Sequence, residues 1–123
     1  MIGEFLNSED VIIPKWIEIN RIRTYCGEVW PDNPLMARQI ADDVFRILTA
    51  AHVNRPFFFS GKTEKGILSG LLYYQGKKTK MIRTQKKIAR KLGATEMTVR
   101  WSYRNWTTEF PEILKPSQVN KTK

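Results

Sequence analysis

The sequence predicts one all-α domain of five helices, the last two of which are joined by a tight turn. Apolar residues recur at helical spacing in successive segments. Helix-capping residues stand at the starts of several segments, and a proline or glycine follows most of their ends. A chain of 123 residues is long enough for one domain with a core and too short for two of ordinary size. We place the folded domain at 14–113, with flexible ends at 1–13 and 114–123.

Two helices are predicted in the first half of the chain. The first is expected near 14–29, with a proline in its first turn. It ends at Trp30 because the residue before a proline is pushed out of the α region. The second starts after Asn33, which can cap it, and reaches Ala51 or Val53.

A third helix, about 64–75, is predicted to lie at the centre of the domain. Apolar side chains cover most of its circumference, which is typical of a helix buried on all sides. Gly66 and Gly70 are four residues apart, so a neighbouring helix can approach closely. Three consecutive phenylalanines, 57–59, precede the helix, and we expect them to form a connection whose rings plug the core.

The last two helices are predicted over 84–109. Thr84 and Thr95 can each cap a helix with the side-chain hydroxyl, and Gly93 can take the left-handed conformation that ends the first of them. The spacing of small and apolar residues matches a helix-turn-helix. An ordinary antiparallel helix pair has the same spacing, so the spacing alone leaves both interpretations open.

The second helix of this pair has two different faces at 100° per residue. The mostly apolar face comprises Thr95, Val99, Ser102, Tyr103, Trp106 and Phe110. The opposite face comprises Met97, Arg100, Trp101, Arg104 and Thr108. If the first face packs inward, the second is offered to solvent or to a partner.

Charge is concentrated on the segment that holds the helix pair. Residues 62–104 contain twelve Lys and Arg against two Glu, whereas residues 1–61 contain six basic and eight acidic side chains. The net charge of the whole chain, +9, therefore comes from this segment. Such a distribution is typical of a protein that binds a polyphosphate.

Several classes of function are excluded by the residue types present. Cys26 and His52 are the only cysteine and histidine, so neither a disulfide within the chain nor a zinc site can form. We expect Cys26 to be buried and His52 to lie at the surface or at its boundary. The triplet 61–63 (GKT) lacks the first glycine of a phosphate-binding loop, which argues against nucleotide binding. No catalytic constellation or membrane-spanning run is found, so we predict no enzymatic activity, cofactor or small-molecule substrate.

Four segments carry a resemblance to a known family. They are GKT at 61–63, GILSGLLYY at 66–74, RTQKKIA at 83–89 and MTVRWSYR at 97–104. These closely resemble the second cyclin-like repeat of transcription factor IIB and of its archaeal counterpart, transcription factor B. The last segment matches the family pattern V-T-[IV]-R-x-x-Y-[RK] from its second position onward, with Met97 in place of the first Val. The resemblance covers roughly 14–113, and it implies a five-helix cyclin-like fold ending in a helix-turn-helix.

In that family the helix pair lies in the DNA major groove just upstream of a TATA box, and the core binds the TATA-binding protein. Carried over by position, the resemblance implies that Met97 and Arg100 read bases, with Trp101 beside them. Arg can pair bidentately with guanine, and an apolar side chain can meet a thymine methyl. The residues expected at the DNA backbone are Lys77, Lys78, Lys80, Arg83, Thr84, Gln85, Lys86, Lys87, Thr98 and Arg104. The basic connection before the pair is also compatible with a solvated loop.

The implied partners are double-stranded promoter DNA, the TATA-binding protein and RNA polymerase. The implied location is nuclear in a eukaryote, or the cytoplasm and nucleoid in an archaeon. Two features depart from the family: the chain has one repeat without a zinc ribbon, as expected of a fragment or a stand-alone relative, and Trp101 replaces a small polar residue. An exposed Trp101 stacks on DNA, changes the sequence preference, or docks on protein.

Two alternatives remain open at the level of sequence. An autonomous, dimeric helix-turn-helix repressor would bind a palindrome without the TATA-binding protein. A cyclin-like protein-interaction module would use its basic face for an acidic partner and would show no sequence preference on DNA.

Overall fold

A computed structural model of the chain describes residues 13–114, which contain α-helices and one 3-10 turn and no strand. The helices are α1 (Ile19–Val29), α2 (Pro34–Asn54), α3 (Glu64–Lys78), α4 (Gln85–Leu92), α5 (Glu96–Glu109) and α6 (Pro111–Leu114). The all-α prediction is confirmed. A sixth, short helix follows the five that the sequence predicts. Of the flexible ends predicted at 1–13 and 114–123, all residues except Ile13 and Leu114 lie outside the described range.

Helix α1 begins five residues later than predicted. The carboxylate of Glu18 accepts hydrogen bonds from the backbone N–H groups of Asn20 and Arg21, at 3.0 and 3.1 Å. This side chain caps the helix, so the preceding Pro14 lies in a turn and not in the first helical turn. The end of α1 at Val29 agrees with the prediction.

Helix α2 starts as predicted, since the Oδ1 atom of Asn33 accepts the backbone N–H of Met36 at 3.1 Å. It runs to Asn54, one residue beyond the expected end. A buried stripe along α2 packs against α1 and α3.

Helix α3 is the central element, as its composition predicts. Its side chains are buried on several faces, and it packs against α2, α4 and α5. It extends to Lys78, three residues beyond the expected end. Only one of its two predicted contact glycines meets another helix. A Cβ on Gly70 would lie 2.2 Å from the backbone nitrogen of Tyr103, whereas a Cβ on Gly66 would meet only the hydroxyl of Thr63, in the same helix's cap.

The three phenylalanines form a 3-10 turn, Pro56–Phe59, and two of their rings fill the core as expected. The Phe58 ring lies 4.8 Å from the ring of Phe110 and 5.1 Å from that of Trp106. Phe57 is 87% exposed and does not plug the core. A turn of this tightness cannot point three consecutive side chains in the same direction.

Cys26 is fully buried as predicted, and burial raises the pKa of its thiol to about 12. The position predicted for His52 is wrong, because this residue is only 5% exposed. Helix α2 continues past it, and the 3-10 turn folds back so that the Phe59 ring meets the imidazole edge-on at 5.0 Å. Burial lowers the pKa of His52 below its ordinary value of 6.5.

The packed part of the chain reaches at least Leu114, which is buried in α6. The sequence predicts that the flexible tail begins at this residue. Its backbone oxygen accepts hydrogen bonds from Tyr74 Oη and Lys78 Nζ, both at 3.2 Å, so the end of α6 is tied to α3.

Candidate nucleic-acid interface

Two threonine caps and one glycine build the α4–α5 pair as the sequence predicts. Thr84 Oγ1 accepts the backbone N–H of Lys87 at 3.0 Å and starts α4. Gly93 has φ +74°, and the N–H of Ala94 then bonds back to the carbonyl oxygen of Ala89 at 2.8 Å. The N–H of Thr98 donates to Thr95 Oγ1 at 3.1 Å and starts α5.

Buried hydrogen bonds fix α5 against the central helix. Ser102 Oγ accepts the N–H of Gly70 and donates to the carbonyl oxygen of Ile67, both at 3.0 Å. Trp106 Nε1 donates to the same carbonyl oxygen at 2.8 Å. Because these groups are enclosed, their mutual pairing sets the rotation of α5 about its own axis.

The predicted division of α5 into two faces is largely confirmed. Val99, Ser102, Trp106 and Phe110 are buried, whereas Thr95 is exposed at the cap and Tyr103 is half-buried. All five residues of the outward stripe are exposed: Met97, Arg100, Trp101, Arg104 and Thr108. The guanidinium of Arg104 lies over the Trp101 ring, 5.7 Å from its centroid.

A groove of about 450 Å³ runs along one side of the outward stripe. It brings Met97, Thr98 and Trp101 together with Lys62 and Thr63, which precede α3. Lys62 and Thr63 are not among the residues that the sequence predicts for the site. Both residues belong to the GKT triplet, and Lys62 is part of the basic segment 62–104. Their position beside α5 follows only from the packing of α3 on α5.

A second groove lies between the starts of the two helices of the pair. Thr84, Gln85 and Lys86 line it together with Tyr73 and Glu96. The predicted residues of early α4 are therefore close to the start of α5. The hydroxyl of Thr84 serves as the α4 cap, whereas Lys86 is exposed to solvent.

The basic connection before α4 is more dispersed than the sequence suggests. Lys77 lies over the rings of Tyr73 and Tyr103, at 5.4 and 5.2 Å. The ammonium of Lys78 donates a hydrogen bond to the backbone oxygen of Leu114. Leu114 follows the C-terminal end of α5, whereas Met97 lies at the N-terminal end. Lys80 is exposed in the turn. The structure therefore does not gather these lysines beside the outward stripe of α5.

Arg83 has internal partners for its guanidinium. Its Nε atom donates to the carbonyl oxygen of Val29 at 3.1 Å, and its Nη2 atom donates to the carboxylate of Asp32. The same guanidinium lies over the Trp30 ring at 6.0 Å. The hydrogen bond from Arg83 also lowers the pKa of Asp32. These contacts fasten the start of α4 to the end of α1.

The groups exposed on this face are hydrogen-bond donors, cations and the apolar side chains of Met97 and Trp101. Exposed donors and cations surround an apolar pair on a rigid helix, which suits anionic groups flanking an apolar target. Among residues 13–114, no group of three or more His, Cys, Asp and Glu is placed to hold a metal ion. Within the same range, no helix combines the length and apolar character needed to cross a bilayer.

No family model matches the chain, and neither a curated protein nor a solved structure is significantly similar to it.

Proposed function

We propose that this chain is a promoter DNA-binding domain of the transcription factor IIB type, with a cyclin-like fold whose α4–α5 pair acts as a helix-turn-helix. The observation that carries the proposal is the outward stripe of α5. It exposes Met97, Arg100 and Arg104 on a helix that buried bonds hold in one orientation. The motif resemblance assigns reading positions to the same stripe.

In this proposal α5 enters the major groove of DNA upstream of a TATA box. Arg100 reads a guanine, because its exposed guanidinium can pair with both O6 and N7. Lys86 and the groove residue Lys62 lie on either side of α5, where they can meet the phosphates that border the groove. The TATA-binding protein is bound by the remainder of the core.

The first experiment is a gel shift on TATA-containing promoter DNA at about 150 mM salt, where nonspecific phosphate binding is weak. The chain is compared alone and together with the TATA-binding protein. We expect a supershift that needs the partner and depends on the bases upstream of TATA. Equal binding with and without the partner favours an autonomous repressor, and no shift favours a protein-interaction module.

Two variants separate base reading from phosphate contact. Arg100→Ala should cost about 1–3 kcal/mol on the preferred site and reduce the ratio of preferred to scrambled binding. Lys86→Ala should weaken binding to all sequences alike and reduce the slope of log K against log salt by about 1. Anisotropy titrations at several salt concentrations measure both quantities. A wild-type preference ratio in Arg100→Ala would remove this residue from the reading role.

A further inference from the structure

The outward stripe of α5 carries an apolar pair that the contacts within the domain do not explain. Met97 is 59% exposed and Trp101 is 55% exposed. They lie four residues apart, so their side chains are neighbours on the helix surface. Both line the groove beside the start of α3, and neither is part of the core.

Trp101 is held in place although it is exposed. The Arg104 guanidinium lies over its ring at 5.7 Å. On the opposite side of α5, the buried bonds of Ser102 and Trp106 fix the helix itself. An aromatic side chain held in this way loses little conformational entropy when a partner covers it.

The surroundings of the pair indicate the chemistry of that partner. Arg100 and Arg104 share the stripe with it, and Lys62 lies across the groove. The remaining groove lining includes the hydroxyl groups of Thr63 and Thr98. An apolar pair bordered by cations and donors suits an apolar group embedded in a polyanion. In duplex DNA the apolar group displayed in the major groove is the C5-methyl of thymine.

We propose that Met97 and Trp101 contact thymine methyl groups, so that the DNA site of this chain contains thymines which are read by their methyls. The inference rests on the proposed function and specifies part of its recognition sequence. Four residues of helix span about 6 Å, and base pairs repeat about every 3.4 Å. The two thymines should therefore lie within about two base-pair steps of each other.

The test begins with a selection and ends with removal of single methyl groups. Duplexes carrying a TATA box and about ten randomised upstream base pairs, one helical turn, are selected with the chain and the TATA-binding protein. Each thymine of the selected segment is then replaced by deoxyuridine, which removes only the methyl. Wild-type affinity should fall roughly four-fold at each contacted position, the loss expected for one apolar carbon.

Protein variants identify which side chain meets which methyl. Trp101→Ala should bind the thymine duplex more weakly than wild type. Its affinity should not fall further when the thymine that Trp101 contacts is replaced by deoxyuridine. Met97→Ala should behave in the same way at the thymine that Met97 contacts. Leu35→Ala is the control, because Leu35 is 77% exposed on α2 and does not line the groove. Whatever its effect on the complex with the TATA-binding protein, it should leave the uracil sensitivity of every thymine unchanged. Thermal melting verifies that each variant is folded.

The outcomes separate the inference from the function on which it rests. If no upstream sequence is enriched, the proposed function fails. If a sequence is enriched but contains no thymine, or if uracil weakens wild type and Trp101→Ala equally, reading of methyl groups by Trp101 is refuted while DNA binding stands. An unchanged affinity of Trp101→Ala for the thymine duplex would also refute it and would point to a protein partner for this surface.

Discussion

Gly70 sets the distance between the central helix and the proposed reading helix. A Cβ at this position would lie 2.2 Å from the backbone nitrogen of Tyr103 and 2.3 Å from the carbonyl carbon of Ser102. Both obstacles are main-chain atoms, which cannot swing aside as a side chain can. The absence of a side chain here is therefore what permits the N–H of Gly70 to reach Ser102 Oγ.

Gly70→Ala should destabilise the domain by about 3 kcal/mol or more, because the added methyl forces α3 and α5 apart. Urea denaturation measures the free energy of unfolding. Gly27→Ala is the matched control: Gly27 is helical, and nothing would lie within 4 Å of its Cβ. The free energy of unfolding of Gly27→Ala should rise by about 0.5–1 kcal/mol, because alanine reduces the backbone entropy of the unfolded chain. Equal effects of the two substitutions would contradict the role given to Gly70.

The position and contacts of a residue could be predicted from the sequence only where its partners are close to it along the chain. The caps Thr84 and Thr95 bond to groups three residues away, so a short window was enough to predict them. His52 was misplaced because the 3-10 turn folds the Phe59 ring back onto it, which a helical pattern does not predict. Arg83 was incompletely described because its partners are remote in the sequence. Arg83 reaches Val29 and Asp32, more than fifty residues earlier.

At the scale of elements, α3 and α4 end with the same hydrogen-bond pattern on different residues. After α4, Gly93 at φ +74° is followed by the bond from Ala94 N–H to the Ala89 oxygen. After α3, Lys80 at φ +65° is followed by the equivalent bond from Met81 N–H to the Gly76 oxygen, at 2.8 Å. This pattern favours glycine at the left-handed position. Lys80 is therefore strained.

Lys80→Gly should raise the free energy of unfolding by about 1 kcal/mol, since the left-handed conformation costs a side-chain-bearing residue about 1–2 kcal/mol. Lys80→Ala removes the same charge but keeps the Cβ, and it should give no such gain. Melting temperatures of the three proteins compare them directly. A similar gain in both variants would trace the effect to charge and not to backbone conformation.

The elements themselves were largely predictable, but their lateral arrangement was not. Periodicity and caps located α2 to α5 to within a few residues, and only α1 began at a different place. The sequence did not indicate that the start of α3 flanks α5. That contact depends on the crossing at Gly70, and it brings Lys62 into the candidate interface.

On the scale of the whole molecule, one carboxylate joins the two halves of the chain. Glu64 at the start of α3 accepts hydrogen bonds from Arg21 at 2.6 and 2.8 Å and from Tyr25 Oη at 2.7 Å, both on α1. Burial raises the pKa of Glu64, but the hydrogen bonds from Arg21 and Tyr25 outweigh it and the net shift is downward. The folded state therefore prefers the ionised form.

This shift has a defined consequence for the stability of the fold against acid. A carboxyl whose folded-state pKa is lowered stabilises the fold above its unfolded pKa, and the contribution is lost as pH falls through the folded pKa. For Glu64 that loss occurs below its ordinary value of 4.5. Glu64→Gln should be less stable than wild type at neutral pH by about 1 kcal/mol, and the difference should shrink on acidification.

Melting temperatures measured from about pH 7 to about pH 3 test this linkage. Asp43→Asn is a suitable control, because among residues 13–114 Asp43 forms an ion pair only with Arg46, one helical turn away, at 3.4 Å. Such an exposed pair contributes little. A constant difference between wild type and Glu64→Gln across the whole range would show that ionisation of Glu64 does not link α1 to α3.

The separation of α5 into an inward and an outward stripe has a consequence for how such a domain can change over generations. No residue belongs to both the buried set around Ser102 and the exposed set around Arg100. Substitutions in the exposed set therefore carry almost no folding penalty, whereas those in the buried set are constrained by α3. If the proposed function holds, duplicated copies could diverge in DNA target through a few outward changes and keep one scaffold. A library randomised at 97, 100, 101 and 104 should accordingly consist mostly of folded proteins.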